Sequence, residues 1–355
     1  MAVDEAVVSV SPGETRIALL DGGQVIEFMV DRGAVAPGDI VEGRVLEMMP
    51  ALNAAFVEIG EPLPAYLAKP SGLSVGSKTL VEIAVAARPG KGAEAKAAPA
   101  EAKPIRHAPV ARALVLHPDI VHVTVDDRAA LAEMRSIFPD ATCNPHCFID
   151  SGAADALDEA LARRVVLPSS VALDFAETAA ATVIDIDGAG QAPAAANAAA
   201  LPAIARHLRL RGIAGHILID VIPTRDRRKL MKLVEAMRAA VAEDPAPAQV
   251  AGHTPLGMIE MTRRRSGPSL AEIMLEPLSA MPNPLTLALD GVRAVLQETA
   301  ARPGTAFALA LPPRAVSELR ARPAVMAETG RRLGRPLTLV ERRDIDMFAV
   351  EELAR

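Results

Sequence analysis

Hydrophobic and polar positions change period along this chain, and the changes divide it. Residues 6–30 alternate, and Asp21-Gly22-Gly23 separates Ile17–Leu20 from Val25–Phe28. The alternation predicts strands and the Asp-Gly-Gly a tight hairpin. From Gly38 to about Ala87 come short strand-like runs broken by Gly and Pro: Ile40–Val45, Ala54–Gly60, Ala65–Leu67 and Leu80–Val85. They predict a small all-β unit of barrel size. Residues 89–108, rich in Ala, Lys, Glu and Pro, read as a linker or long flexible loop. Beyond them strand and helix patterns alternate. A strand at Ile120–Asp127 precedes helices at about 128–137 and 152–164. A helix at 196–211 has Leu201, Ile204, Ala205 and Leu208 on one face. Thr224 is placed to cap a helix running to about Glu243, with Leu230, Leu233, Val234, Met237 and Val241 at helical period. A strand at Gly257–Thr262 follows. The last unit, from about Pro284, reads helix, strand (Ala306–Leu311), helix, strand (Leu337–Val340). Such alternation argues α/β layers.

Two short apolar segments end in acids: Thr182-Val183-Ile184-Asp185-Ile186-Asp187, and His216–Asp220, which runs on through Pro223-Thr224-Arg225. Both read as buried strands. An acid at the end of such a strand is costly to bury alone, and two such strands side by side could hold a divalent cation between Asp185 and Asp220. Asp187, two positions from Asp185, faces the same side. Mg²⁺ typically takes one or two carboxylates plus water and substrate phosphate. Basic groups follow each strand: Arg206, Arg209 and Arg211, then Arg225 to Lys232, then Arg263 to Arg265. Carboxylates for a metal, ringed by arginines for phosphate, are what phosphodiester hydrolysis requires. The bland alternative is that the acids cap the next helices and the arginines form solvated faces. His216 and His253 read as structural, since neither sits in a nucleophile motif. No glycine-rich phosphate loop and no dinucleotide fingerprint occur.

Composition narrows the field. Half the residues are apolar but only 2% aromatic, so the core must be Leu, Val, Ile and Met. A net charge of −6 means that an anionic ligand must be met by a local basic surface. Phe56 and Tyr66 therefore stand out, because aromatic side chains on such barrels stack bases of single strands; Phe56 as plain core is the alternative. Cys143 and Cys147, with His146 between them, fall short of the four ligands of structural zinc, and a chain with so few thiols suits a reducing cytoplasm. The acidic N-terminus lacks the apolar stretch of a signal peptide, and no run reaches the ~18 apolar residues of a membrane helix.

With these residues in view, the chain resembles the catalytic half of the ribonuclease E/G family. The most specific stretch runs from Leu208-Arg209-Leu210-Arg211-Gly212 to Asp220, then through Pro223-Thr224-Arg225 to Gly257–Thr262 and Arg263-Arg264-Arg265-Ser266-Gly267-Pro268-Ser269-Leu270. Val165–Ser170 leading to Asp185 is a second match. Gly38–Val45 with Ala54–Gly60 is a third, similar to that family's oligonucleotide-binding barrel. The resemblance implies an α/β multidomain fold: a small OB-fold β-barrel inserted in a ribonuclease-H-like fold, followed by a DNase-I-like α/β segment and a small C-terminal α/β unit. The expected divisions are 1–35 (N-terminal hairpin), 36–90 (barrel), 91–108 (linker), 109–180 (ribonuclease-H-like), 181–280 (DNase-I-like, catalytic) and 281–355. It implies a metal-dependent endoribonuclease acting on single-stranded RNA, with Asp185 and Asp220 as metal ligands and Mg²⁺, or Mn²⁺, as the ion. Asp187 would assist, standing where the family usually has asparagine. Phe56, Tyr66 and Lys91 would contact RNA, and Arg225, Arg228 and Arg263 are candidates for phosphate contacts.

Two departures shape the expectation. The family's pocket for a 5′ monophosphate uses an Arg-Thr pair in a segment that residues 93–108 replace, and no such pair lies between the barrel and Ile120. Sensing of the 5′ end is therefore not expected. The family also links subunits through zinc at a Cys-x-x-Cys motif, whereas residues 271–281 hold no cysteine. No structural zinc and no zinc-linked dimer are expected, and the oligomeric state is left open. The absence of a long disordered tail speaks against scaffolding. The competing reading is an RNA-binding relative that cleaves weakly or not at all.

Overall fold

The structure is a computed structural model and describes residues 3–224 and 226–353. The chain opens with an antiparallel meander of β1 (Glu5–Ser11), β2 (Glu14–Asp21) and β3 (Gln24–Asp31). Gly22 and Gly23 make the predicted turn at φ +55° and +82°, a conformation that glycine adopts without steric cost. Five strands then close a barrel in the order β4-β5-β6-β8-β7: β4 (Ile40–Met49), β5 (Ala54–Glu58), β6 (Ala65–Ala68), β7 (Lys78–Val85) and β8 (Glu94–Ala97). A closed five-stranded barrel of this size is consistent with an OB-fold. The expected linker is corrected here. Residues 94–97 supply the strand that closes the barrel, and further on Ile105 exchanges two 2.9 Å backbone hydrogen bonds with Ile40. Ala93 and Ala95 pack with Leu67 and Ile83 in the barrel interior. An Ala-rich strand looks like a linker because alanine carries little β preference.

After α1 (Pro109–Leu116) the chain returns to the first sheet. β9 (His122–Val125) pairs parallel to β1, and β10 (Thr142–Cys143) joins outside it, giving the order β10-β9-β1-β2-β3. The barrel is thus inserted between β3 and α1. Helices α2 (Arg128–Ile137), α3 (Cys147–Asp150) and α4 (Ala153–Leu161) pack around this sheet.

A second sheet has the order β11-β12-β13-β14-β16-β15. Its strands are β11 (Arg164–Val166), β12 (Ala172–Glu177), β13 (Thr182–Asp187), β14 (Gly215–Asp220), β15 (Ala248–His253) and β16 (Ile259–Arg263). The expected boundary at 181 cuts through this sheet, which begins at Arg164. Parallel β13 and β14 are joined by α5 (Pro193–Leu210), and α6 (Arg227–Ala240) follows β14. Asp226 rather than Thr224 caps α6, its carboxylate accepting the Arg228 N–H at 2.8 Å. Strand alternation splits the sheet's two faces. Val165, Leu173, Phe175, Ile184, Ile186, Ile217 and Ile219 pack with α5 and α6 in one core. The opposite face carries the polar partners and is open.

After α7 (Leu270–Met274) a small unit completes the chain: α8 (Pro284–Ala301), β17 (Phe307–Leu311), α9 (Pro313–Arg320), α10 (Pro323–Leu333), β18 (Thr338–Glu341) and β19 (Ala349–Glu352), in the sheet order β18-β17-β19. It docks on the first sheet through buried charge. The Glu14 side chain is fully enclosed by Arg16 at 2.5 Å, Arg32 at 2.8 Å and Arg293 of α8 at 3.4 Å. Burial alone would raise the Glu14 carboxyl, but the three guanidiniums outweigh it and hold the group below its ordinary value. Among the described residues no helix is long and apolar enough to cross a membrane.

Candidate active site

The register of the second sheet places Arg164, Asp174, Asp185 and Asp220 directly opposite one another on four successive strands, β11 to β14. Directly paired residues point to the same face, so these side chains form one row across the open face. Adjacent strands lie about 4.8 Å apart. Asp187 stands two residues beyond Asp185 on that face. As expected, Asp185 and Asp220 lie side by side, as register partners on parallel β13 and β14. Asp174 and Arg164 were not anticipated. A polar residue at an alternate position of β12 carries no signal by itself; its meaning comes from a partner eleven residues further on.

The acids in the row differ in their partners. Arg164 reaches Asp174 Oδ2 with Nη1 and Asp187 Oδ2 with Nη2, each at 2.5 Å. Asp187 Oδ1 accepts the Ala189 N–H at 3.0 Å. That N–H and the Arg164 guanidinium hold the Asp187 carboxyl below its ordinary range. Asp185 and Asp220 have no cationic partner among the described residues. Burial, then Asp220, then Asp174 push the Asp185 carboxyl above its ordinary value. A cation set between Asp185 and Asp220 would relieve that repulsion. Among the described residues no three His, Cys, Asp or Glu converge as a ready-made metal cage. Two adjacent exposed carboxylates nevertheless fit the open set that Mg²⁺ takes, completed by water and substrate oxygens.

The row is held from behind by α5. Asn197, 1% exposed, donates from Nδ2 to the Ile222 carbonyl at 3.0 Å and accepts the Ile222 N–H at Oδ1 at 3.0 Å. It thereby fixes the chain two residues after Asp220. Gly188 lets this corner close, since a Cβ there would lie 2.6 Å from Ile222 Cδ1.

The basic residues separate into two groups. Those of α5 and its C-cap face inward: Arg206 binds Glu159 and the Val25 carbonyl, Arg209 binds Glu27 at 2.8 Å, and the C-cap Arg211 binds the Glu159 and Ala162 carbonyls while stacking 3.9 Å over Phe175. They join the second sheet's helix to the first sheet and do not ring the acids. Arg263 is also corrected as a phosphate contact. It is 8% exposed, forms two hydrogen bonds with Asp244 at 2.7 and 2.9 Å and donates to the Ile213 carbonyl. It pairs with Gly215, at the opposite end of β14 from Asp220. The first turns of α6 differ: Arg227, Arg228, Lys229 and Lys232 are exposed and make no ion pair among the described residues. Arg225 lies outside the described residues. His216 is exposed on the row's face but four residues from Asp220, and His253 contacts its neighbour's carbonyl at 3.0 Å.

On the barrel, Phe56 and Tyr66 are cross-strand partners of β5 and β6 with ring centroids 6.3 Å apart, edge to face. Their neighbours Ala55, Val57, Ala65 and Leu67 fill the interior, while both rings are partly exposed on the outside. Phe56 is therefore not plain core. Lys91 is exposed in the turn closed by reciprocal backbone bonds with Arg88. The Tyr66 N–H binds the Ala93 carbonyl, so this turn adjoins the aromatic pair. It also faces the second sheet's unit: the Ala86 N–H binds the Ser266 carbonyl at 2.9 Å, and Arg88 lies 3.9 Å from Glu272. Cys147 is a core residue. Its thiol is pushed up to about 12 by burial and lies 3.9 Å from the Val8 carbonyl.

Residues 110–266 match the model of the ribonuclease E/G family. The chain is 43% identical over 65 residues to a ribonuclease G of Escherichia coli, covering 18% of this chain and 13% of that protein. It is 40% identical over 65 residues to a ribonuclease G of Haemophilus influenzae, with the same coverage. To a ribonuclease E of Nostoc it is 38% identical over 103 residues, 27% of this chain and 15% of the relative. The matched stretches thus span well under a quarter of these relatives' length. The segment that matches the ribonuclease E/G family model contains the whole acidic row with α5 and α6.

Proposed function

We propose that this chain is a metal-dependent endoribonuclease that cleaves single-stranded RNA, leaving a 5′ phosphate and a 3′ hydroxyl. The observation that carries the reading is the pair Asp185 and Asp220, directly opposed on parallel strands on an open sheet face and without a cationic partner among the described residues. Two uncompensated carboxylates repel an approaching RNA phosphate, and a bound cation reverses that interaction. Asp185 and Asp220 would hold Mg²⁺, or Mn²⁺, and the ion would polarise a phosphoryl oxygen and lower the pKa of its water. The exposed first turns of α6, with Arg228 among them, would bind the backbone beside the ion. Phe56 and Tyr66 would stack bases and Lys91 would hold the backbone at the barrel. Asp187 would shape the site from behind Arg164. We read the first sheet as ribonuclease-H-like and the second as DNase-I-like. A barrel strand at 94–97 in place of a sensor segment supports cleavage without 5′-monophosphate sensing, and the reading places the protein in the cytoplasm.

The test is cleavage of a labelled single-stranded RNA in Mg²⁺, with 5′-monophosphate and 5′-hydroxyl ends compared. Equal cleavage of both, abolished in Asp185→Asn and Asp220→Asn with RNA binding retained, is the expected result. RNA binding without cleavage in Mg²⁺ or Mn²⁺ would replace the reading with a non-catalytic RNA-binding protein.

A further inference from the structure

We infer that the sheet face beside the acidic row is a base-binding shelf, formed by Val183 and Leu218 and ending at Glu260, which selects guanine next to the scissile phosphate. The inference deepens the proposed nuclease reading and rests on it. Two residues back along the strands from Asp185 and Asp220 the open face changes character. Ala176, Val183, Leu218 and Glu260 are direct register partners across β12, β13, β14 and β16. Two residues of strand span about 6.6 Å, a distance that a nucleoside covers from its own phosphate. Val183 and Leu218 are only half-buried, because the core lies on the other face. Their outer surface forms an apolar floor, with the acids on one side and the exposed His216 and Thr262 on the other.

The arrangement of charge says which part of an RNA belongs there. The exposed cations at the start of α6 follow the carboxyl end of β14, and the shelf lies on the opposite side of the acids. A phosphate is drawn toward those cations, and the side chains of the shelf offer it no donor. A nucleobase fits instead, because its faces are apolar and only its edge is polar. Glu260 then meets the edge. Its half-buried carboxylate has no hydrogen bond or ion pair among the described residues, which leaves both oxygens available to a ligand. Beyond it Gly252, its register partner on β15, keeps the space open, since a Cβ there would meet nothing within 4 Å. An ionised carboxylate only accepts, through two oxygens side by side. Guanine presents two adjacent donors, N1–H and the N2 amino group. Adenine and cytosine present one amino group beside an acceptor nitrogen, and uracil one N–H between two carbonyls. The edge chemistry therefore ranks guanine first and uracil last.

The experiment is cleavage of a pool of random-sequence single-stranded RNAs in Mg²⁺ by the full chain, with the bases flanking every cut read by sequencing. Wild type is expected to enrich guanine at one of the two flanking positions, cutting there roughly 5- to 150-fold faster than beside uracil, the range of a bidentate contact to a base. Inosine, which lacks the N2 amino group, should lose most of that advantage. Glu260→Gln should shift the preference to adenine, since an amide pairs with an amino group and the acceptor beside it; a merely structural glutamate would not reorder the bases. Leu218→Ala should raise KM on every RNA and keep the order. Equal melting temperatures establish that both variants fold. Cuts without base preference, a preference for any base but guanine, a guanine preference that survives Glu260→Gln, or an unchanged KM in Leu218→Ala would each overturn the shelf while leaving the nuclease reading intact. No cleavage of any RNA by wild type would remove that reading and the shelf with it.

Discussion

Replacing Asn197 by alanine should damage the site without touching it. The Asn197 amide is a two-pronged partner for the backbone of Ile222, donating and accepting at 3.0 Å. It is 1% exposed, so water does not readily take its place. Two hydrogen bonds are worth roughly 1 kcal/mol each, and a buried backbone group left unpaired costs about 1–3 kcal/mol more. The expected loss is about 2–4 kcal/mol, read as a lower urea midpoint at unchanged slope. A domain with ordinary stability of about 5–15 kcal/mol remains folded after such a loss. RNA cleavage measured on the folded variant then reports geometry. Released at Ile222, the segment after β14 shifts, and Asp220 loses its fixed spacing from Asp185. Cleavage should fall at least tenfold, roughly the 1.4 kcal/mol that a small misplacement of a catalytic group readily costs. Asn197→Asp is the sharper variant, because it keeps the acceptor for the Ile222 N–H but sets a carboxylate against the Ile222 carbonyl. It should be no better than alanine. A stability change under about 0.5 kcal/mol with normal cleavage, below the range for a single lost hydrogen bond, would refute the latch.

Three further outcomes follow from particular contacts. His207 is buried, and burial, then Arg211 and Arg206, push its pKa down to about 3; Arg211 Nε donates to its Nδ1, and the half-exposed Glu159 at 3.0 Å from Nε2 is shared with Arg206. The unfolded chain, with a histidine pKa near ~6.5, then binds a proton that the folded chain refuses, so stability is complete above that pH and falls on acidification towards about 3, by up to ~1.4 kcal/mol per pH unit. His207→Leu should flatten that part of the pH–stability curve, and an unchanged slope would show that the ring accepts the proton in place. Phe56→Ala with Tyr66→Ala should weaken single-stranded RNA binding by about 1–3 kcal/mol per lost stack while leaving the salt dependence alone. Lys91→Ala should instead lower the salt slope by about one, and exchanged behaviours would refute the assignment of roles. Gly92→Ala would place a Cβ 1.9 Å from the Pro64 carbonyl oxygen, so the barrel should lose about 1–3 kcal/mol, measured by thermal unfolding; an unaltered melting temperature would mean that β8 does not close it.

Sequence alone yields those parts of the molecule whose signal is local. Ile184-Asp185 and Ile219-Asp220 read as strand ends because short β-branched runs terminated by an acid have few other physical explanations. Their adjacency also follows, since a helix-length segment between two such strands favours a parallel crossover. Asp174 does not follow. In Ala172–Glu177 it is simply the polar member of an alternating strand, and it acquires meaning through a register that only the folded sheet sets. The inward turn of Arg206, Arg209 and Arg211 is hidden for a similar reason. A basic helical face reads as solvated until β3, with Glu27, is known to pack against it. Strands β8 and β15 escape because Ala93–Ala97 is short of β-branched residues and β15 is interrupted at Gly252 by a register shift.

The distribution of charge explains how a chain of net charge −6 could serve a polyanion. Arginines are numerous, but many hold the fold: those of α5 bridge the two sheets, Arg16, Arg32 and Arg293 enclose Glu14 under the C-terminal unit, and Arg263 pins the start of β14. A paired guanidinium offers RNA little, because leaving its carboxylate unpaired offsets what the phosphate would contribute. Binding power therefore depends on which cations lack partners, not on how many there are. Among the described residues the first turns of α6 meet that condition, and α6 begins seven residues after Asp220. Arg164 is the informative exception. It lies at the row itself, yet it is paired with acids on β12 and β13 and is not a free cation there. On the proposed reading, the cations at the start of α6 would give a phosphodiester a place to rest and the carboxylates of β13 and β14 a place for an ion to act on it. A net negative protein could do so only where its internal ion pairs leave both kinds of group without partners.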